Sequence, residues 1–398
     1  MATLIDIALT LVALGMTIPI GLFCLEVALS LVPRRREAAG ESADPPRIAV
    51  LIPAHNEQVV IARTLGTLVP TVPAGSRVLV VADNCTDDTA AIARRAGAEA
   101  VERSDPLRRG KGFALDFGLE KLAANPPQAV VFLDADCQVA PDTVRLLGAT
   151  AVATNRPVQG LNLCDPDPSG GTLQAVSGLA FRFKNLVRTL GLARLAGLCH
   201  LTGTGMALPW NLTDRAKVAE GNVVEDMQLG IDLVLAGHRP LFLPEARVDS
   251  PLPQQRGAAR TQRTRWEHGH LATLLSQTPR LVGMAADERR LDLVWLALDL
   301  AIPPLSLLVT LLAIAWWMAA LGWLFGASAM PLAALSLLVL MLVAAILAGW
   351  HAHCREQIRL ESLLAAPLYA AWKLPIYVAF LLKRQREWVR TQRDVPSA

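Results

Sequence analysis

Two aspartates one residue apart close the run VVFLDADCQV at residues 130–139, where Asp134 and Asp136 follow four apolar residues. Carboxylates brought together at the end of a buried strand repel each other, and desolvation raises the cost of each charge. A divalent cation offsets both. Hard oxygen ligands suit Mg2+ or Mn2+, and such ions commonly bridge to phosphate oxygens. The plainer account is a solvated turn in which aspartate serves the turn backbone. Two histidine patterns, His268 with His270 and His351 with His353 and Cys354, lack the spacing of a closed zinc site.

The elements that must hold these carboxylates alternate along the chain. RIAVLIPAHN from residue 47 reads as a buried strand ending at Pro53, RVLVVADN at 77–84 as a second and AVVFLDAD at 129–136 as a third. Between them, residues 87–97 and 111–123 read as helices, the first with an acidic first turn and Gly97 near its end. This alternation predicts an α/β domain with an open, mostly parallel sheet covered by helices on both faces. Ligands of such sheets bind beyond the carboxyl ends of the strands. The polar clusters HNE, DNCTDDT and DADC all fall at those ends.

The chain of 398 residues is 53% hydrophobic and only 18% charged, too apolar for a globular domain alone. A net charge of +3 gives no electrostatic reason to expect nucleic acid. Six scattered cysteines without a CxxC pair fit a reducing, cytosolic setting. Residues 3–32 form an apolar run long enough to cross a bilayer, broken only by Asp6 and Glu26. No basic region precedes it, so it reads as an anchor rather than a cleaved signal. Arg34, Arg35 and Arg36 follow and predict the N-terminus outside and the next domain in the cytoplasm. A polar linker fills residues 34–46, and the soluble domain is expected at 47–280. A membrane region at 281–398 then holds two clear spans, 305–325 and 331–350, and interfacial candidates. Residues 291–302, which carry Asp292 and Asp299, are expected at the surface. Residues 363–382 carry Lys373 and two prolines and precede the basic residues Lys383, Arg384, Arg386, Arg390 and Arg393. A span there would put those charges outside, so an interfacial, partly inserted helix is the favoured expectation.

Taken in order, IPAHNE (52–57), VADNCTDDT (81–89), GKG (110–112), FLDADC (132–137), GTGMALP (203–209), VVED (223–226) and QRTRW (262–266) resemble the family 2 glycosyltransferases. These are inverting GT-A enzymes that use nucleotide sugars. The QxxRW signature resembles the membrane branch, which includes synthases of cellulose, hyaluronan and bacterial exopolysaccharides. The resemblance covers roughly residues 47–270.

By that resemblance, Pro53, Ala54, His55, Asn56 and Glu57 form the loop that holds the nucleoside, and Asp83 hydrogen-bonds the base. Asp87 is left to helix capping. Lys111, between two glycines, neutralises a phosphate; otherwise it is a solvated first-turn lysine. Asp134 faces the ribose or donor sugar, and Asp136 binds the metal, with Asp134 as its neighbour in the site. Gly203, Thr204 and Gly205 lie near the acceptor, or are an ordinary turn. Glu225 and Asp226 match an acidic pair whose aspartate is the general base that inverting transfer needs. Being adjacent, they cannot share one helix face, and otherwise they are an acidic helix start. Gln262, Arg265 and Trp266 share a helix face, with Arg265 on diphosphate oxygens and Trp266 on a sugar. A lipid-facing helix presenting Arg256, Arg260, Arg263 and Arg265 is the alternative. The run Asp83-Asn84-Cys85-Thr86 departs from the glycine-serine common after that aspartate. The implied activity is transfer from a nucleotide-diphosphate sugar, a UDP-sugar foremost, to a lipid-linked or glycan acceptor at the inner membrane, with Mg2+ or Mn2+. A processive synthase that exports its product, and a silent nucleotide-sugar-binding scaffold, are the rival readings.

Overall fold

The computed structural model describes residues 2–33, 45–166, 171–215, 225–251 and 256–382. In chain order the elements are α1 (Ala2–Ser30), β1 (Ile48–Ala54), α2 (Ile61–Leu68), β2 (Arg77–Asp83), α3 (Thr89–Arg95), β3 (Glu99–Arg103), α4 (Lys111–Leu122), β4 (Ala129–Phe132), β5 (Gln138–Val139) and α5 (Thr143–Thr154). There follow β6 (Val158–Leu163), α6 (Thr172–Arg182), a π-helical stretch (Phe183–Arg188), α7 (Thr189–Ala196), β7 (Met206–Pro209), α8 (Glu225–Leu235), β8 (Leu241–Asp249) and α9 (Arg256–Glu288). The last elements are α10 (Leu291–Leu300), α11 (Leu305–Leu324), α12 (Ala329–His353) and α13 (Ala366–Leu382).

Two compact units emerge. A sheet unit holds residues 34–165 and 197–262, and a helical unit holds 1–33, 166–196 and 263–385. The soluble domain expected at 47–280 is thus divided: residues 166–196 and 263–280 group with the apolar helices.

In the sheet unit, eight strands run in the order β3-β2-β1-β4-β7-β6-β8-β5. Pairing is parallel from β3 to β4 and between β6 and β8, and antiparallel at β4–β7, β7–β6 and β8–β5. Four of the seven pairings are parallel, as expected, and the three antiparallel ones make the sheet mixed. Its central strands β1, β2 and β4 read as apolar runs because both faces are covered. Ile48, Val50 and Ile52 pack with Ile61 and Leu65 of α2 and Val144 and Leu147 of α5. Ala49 and Leu51 pack on the other face with Ala114, Leu115 and Leu119 of α4 and Leu229 and Leu233 of α8. The antiparallel strand β7 matters for function. Because it runs against β4, the turn that leads into it, residues 203–205, arrives at the carboxyl end of β4, where Asp134 and Asp136 follow.

In the helical unit, the described residues include four stretches long and apolar enough to cross a membrane: Leu4–Ser30, Leu305–Leu324, Ala329–His353 and Leu360–Leu382. The first and third run the same way. Asp6 Oδ1 accepts from Ser328 N at 2.7 Å at one end, and Ser30 Oγ meets His353 Nε2 at 3.1 Å at the other. The polar residues that interrupt the apolar runs have partners here. Glu26 Oε2 accepts from Arg188 Nε at 2.8 Å, and Asp299 Oδ1 accepts from Arg188 Nη2 at 2.8 Å. Lys373 donates to Glu267 Oε1, whose second oxygen accepts from Tyr377 at 3.1 Å. Gly191 of α7 lies so close to α1 that an added Cβ would fall 2.3 Å from the carbonyl oxygen of Glu26.

The fourth stretch differs from the others. Ile358, just before it, accepts from Trp350 Nε1 near the end of α12, while Tyr377 within it meets Ser306 at the start of α11. The end of α12 and the start of α11 lie at one end of that helical hairpin, so the segment begins and reaches Tyr377 at the same level. Arg263, which a lipid-facing helix would expose, is buried and donates to Ser177. The arginine triplet at 34–36 and the basic residues from Lys383 onward lie outside the described residues.

Candidate active site

Parallel neighbours end at the same level, so β1 and β2 bring their loops together. Pro53 and Ala54 close β1. His55 Nδ1 meets the Asp83 carbonyl at 2.7 Å, Asn56 Oδ1 accepts from Thr86 N at 2.7 Å, and Glu57 N donates to Thr89 Oγ1 at 2.8 Å. Asn56 and Asn84 both hold positive φ, 54° and 52°, which asparagine tolerates better than most residues. Asp87 sits beside the start of α3. Its Oδ1 accepts from Thr89 N and Oγ1 at 3.1 and 2.5 Å, its Oδ2 from Gln58 N at 3.2 Å. Burial pushes its pKa up, but the Thr89 and Gln58 bonds outweigh it and hold the carboxyl below its ordinary value.

Asp83 is buried and already engaged. Its Oδ1 accepts from Arg103 Nη1 at 2.6 Å and from Asn84 Nδ2 at 3.0 Å. The register of β2 and β3 places Asp83 directly opposite Arg103. This end of the sheet therefore presents an aspartate–arginine pair, not a lone carboxylate. Arg103 is not legible in the sequence because EAVER is a short edge strand without period-two alternation, its exposed residues being Glu99 and Glu102.

The second cluster gathers at the ends of β4 and β7. Regular pairing of β4 stops at Phe132, and Leu133 N still reaches Leu51 O at 3.2 Å. The Asp134 amide then donates to Thr204 Oγ1 at 3.1 Å. Lys111, first residue of α4, donates from Nζ to Asp134 Oδ1 and to Gly203 O, the latter at 2.7 Å. Gly203 has φ +80°, and a Cβ built there would stand 2.8 Å from Asp226 Oδ2. Lys111, Asp134, the 203–205 turn and Asp226 thus form one constellation. Gln159, buried on β6, holds that turn: its Nε2 donates to Thr204 O at 3.0 Å and its Oε1 accepts from Thr202 N at 2.9 Å. A lone glutamine in the apolar run PVQGLNL was its only trace in the sequence.

Asp134, Asp136 and Cys137 each offer a ligand atom, all within 4.8 Å of one another; among the described residues this is the one group of three such side chains. The two carboxylates fit a hard divalent cation. The thiol fits it less. Burial first, then the charges of Asp136 and Asp134, push its pKa well up, and its sulfur already meets Thr204 Oγ1 at 3.4 Å and Ser250 Oγ at 3.2 Å.

Residues 45–269 match the family model described as glycosyltransferase like family 2. The chain belongs to this family. Glycosyltransferases of Mycobacterium tuberculosis and Mycobacterium bovis are 38% identical to it over 122 residues, 29% of this chain and 51% of theirs. Glucosyl-3-phosphoglycerate synthase of M. tuberculosis is 38% identical over 95 residues, 22% of this chain and 28% of that protein. The chain spans about half the length of the first of these curated relatives, and less of the second. A mannosyltransferase from Pyrobaculum calidifontis, solved with GDP-mannose and Mn2+, shares the fold at a TM-score of 0.56 and 20% identity, over 94% of this chain and 100% of that one.

The remaining predicted site residues of this family 2 chain lie along α8 and α9. Glu225 and Asp226 open α8, with the Glu225 side chain outside the described residues, as is that of Arg256. Gln262, Arg265 and Trp266 sit on the continuous helix α9, which keeps their one-face spacing. Gln262 is buried, and its side-chain oxygen has no hydrogen-bond partner among the described residues. Gln262 belongs to the sheet unit, whereas Arg265 and Trp266 belong to the helical unit. There the Trp266 ring packs 5.7 Å from Phe181, with the Arg263 guanidinium 5.5 Å from its centre. His268, one of the tempting histidines, meets Ile376 O at 2.9 Å.

Proposed function

We propose that this chain is a membrane-bound, inverting glycosyltransferase of the QxxRW-bearing branch that moves a sugar from a nucleotide-diphosphate donor to a lipid-linked acceptor. The observation that carries this reading is the constellation of Lys111, Asp134, the 203–205 turn and Asp226 beyond the strand ends. The nucleoside lies along the 53–57 loop and the Asp83–Arg103 pair. Asp134 and Asp136 would hold Mg2+ or Mn2+, which would supply charge stabilisation to a departing diphosphate. Asp226 takes the proton of the acceptor hydroxyl as its oxygen bonds to the anomeric carbon and the bond to the diphosphate oxygen breaks. Gln262, Arg265 and Trp266 organise donor and acceptor.

Single addition, rather than synthesis of an exported polymer, is favoured by the helices. A polymer path needs a polar lining, and Thr310 of α11 is spent on Ser306 O of its own helix at 2.7 Å and Ser336 of α12 on Trp316 Nε1 at 2.9 Å. The catalytic unit is assigned to the cytoplasmic face of the inner membrane, with the N-terminus outside. The segment at 360–382 is assigned to that same interface, because Ile358 and Tyr377 lie at one level of the α11–α12 hairpin.

Full-length protein in nanodiscs, given UDP- and GDP-sugars with Mn2+ or Mg2+, should transfer one sugar to a lipid-extractable acceptor. Asp226→Asn should bind nucleotide nearly as well as wild type and lose transfer by about 10²-fold or more. A dead Glu225→Gln with an active Asp226→Asn reverses the choice of base. A wild type that neither hydrolyses nor transfers any donor is the scaffold, and long polymer inside sealed vesicles is the processive synthase.

A further inference from the structure

We infer that Lys111 is an internal counter-cation that occupies Asp134 until donor and divalent cation arrive together, so that the metal is bound tightly only with nucleotide. The inference rests on the metal site proposed above and adds an order of events to it. The Lys111 ammonium is bonded to Asp134 Oδ1 and to the Gly203 carbonyl. Asp134 is also one of the carboxylates that would hold the cation, with Asp136 beside it. An ammonium and a divalent cation on one carboxylate repel each other, as like charges at such range do. A cation arriving alone must therefore displace Lys111 from two hydrogen bonds.

A nucleoside diphosphate changes that balance. Lysine is a compact charge on a flexible four-carbon stem, and Lys111 is only partly buried, with its side chain 31% exposed. Diphosphate oxygens offer the ammonium a new anionic partner. Its departure frees Asp134 for the metal, which the same diphosphate also ligates. Metal and nucleotide thus raise each other's affinity, and linkage requires that the factor be the same in both directions. The withdrawal also releases the Gly203 carbonyl, in the turn that packs against the Asp226 carboxylate. Acidic charges gather around this site: Asp134 accepts from Lys111, Asp136 lies beside Asp134, and Asp226 lies against Gly203.

The test is Mn2+ binding to full-length protein in detergent, read by the electron paramagnetic resonance signal of free Mn2+, alone and with UDP or GDP. Wild type should bind Mn2+ weakly alone and more tightly with the matching nucleotide. Lys111→Met should bind Mn2+ alone about tenfold more tightly, and the mutual enhancement should shrink by a similar factor, within the usual range of such couplings. Lys111→Arg, which keeps the charge, should behave as wild type. If the methionine variant melts early, Lys111→Gln carries the same test. Unchanged or weaker Mn2+ binding in the uncharged variants, with the enhancement intact, overturns the inference while leaving the proposed metal site standing. Mn2+ binding that survives Asp136→Ala overturns the site itself.

Discussion

Gly203→Ala separates the placement of Asp226 from the stability of the fold. The glycine holds φ +80°, and the new Cβ would lie 2.8 Å from Asp226 Oδ2 and 3.3 Å from its Cγ. Ordinary van der Waals contact begins near 3.4 Å, so the carboxylate must retreat by about 0.6 Å. A left-handed alanine costs roughly 1–2 kcal/mol, enough to lower Tm by a few degrees. The kinetic effect should be larger in kind, because a misplacement of about 1 Å can cost about 10²-fold. The same turn carries the carbonyl that accepts from Lys111 at 2.7 Å. We expect kcat to fall by roughly 10- to 100-fold, while nucleotide affinity, measured by calorimetry, stays within about threefold of wild type. Gly237→Ala is the control. Gly237 has φ +89° with nothing within 4 Å of an added Cβ, so it should lower Tm similarly and leave kcat alone. Full activity in Gly203→Ala, or equal losses in both variants, would refute the assignment of the 203–205 turn and Asp226 to the reaction.

Two other outcomes follow from buried and partly buried charges. Lys373→Met removes the lysine from the Glu267 carboxyl in a site where the two side chains are 3% and 10% exposed; it should destabilise the helical unit by about 3–5 kcal/mol, and the double variant Glu267→Gln, Lys373→Met should recover most of the loss in thermal unfolding in detergent. Asp87 has its folded pKa lowered, so its contribution to stability is complete above the unfolded value of about 3.9 and disappears as pH falls through the lower folded value. Asp87→Asn should therefore melt earlier than wild type at neutral pH, with the difference closing in acid; a constant gap in Tm from neutral pH down to about pH 2 would contradict the role given to its bonds with Thr89 and Gln58.

Local signals in the chain determined three of the eight strands, the helices between them and the polar clusters at the strand ends. The apolar runs 48–54, 77–83 and 129–132 are strands because a sheet covered on both faces leaves no place for polar residues along them. HNE, DNC and DADC follow because strand ends are where polar groups return to water or ligand. The long apolar helices were equally legible, since length and hydropathy are properties of a single segment. Tertiary structure decided the rest. Whether β7 runs with or against β4 is not encoded in either strand's pattern, yet that direction brings the 203–205 turn to Lys111 and Asp134. Arg103 faces Asp83 through the register of an edge strand. Glu26 and Asp299, oddities in apolar runs, make sense only with Arg188 between them, contributed by a helical excursion between β6 and β7 that the sequence had assigned to the soluble domain. Residues 360–382 have the composition of a span, but Trp350 and Ser306 hold Ile358 and Tyr377 at one level. Periodicity reports which face of an element is buried; which element buries it is set by contacts between residues far apart in the chain, and those exist only once the chain has folded.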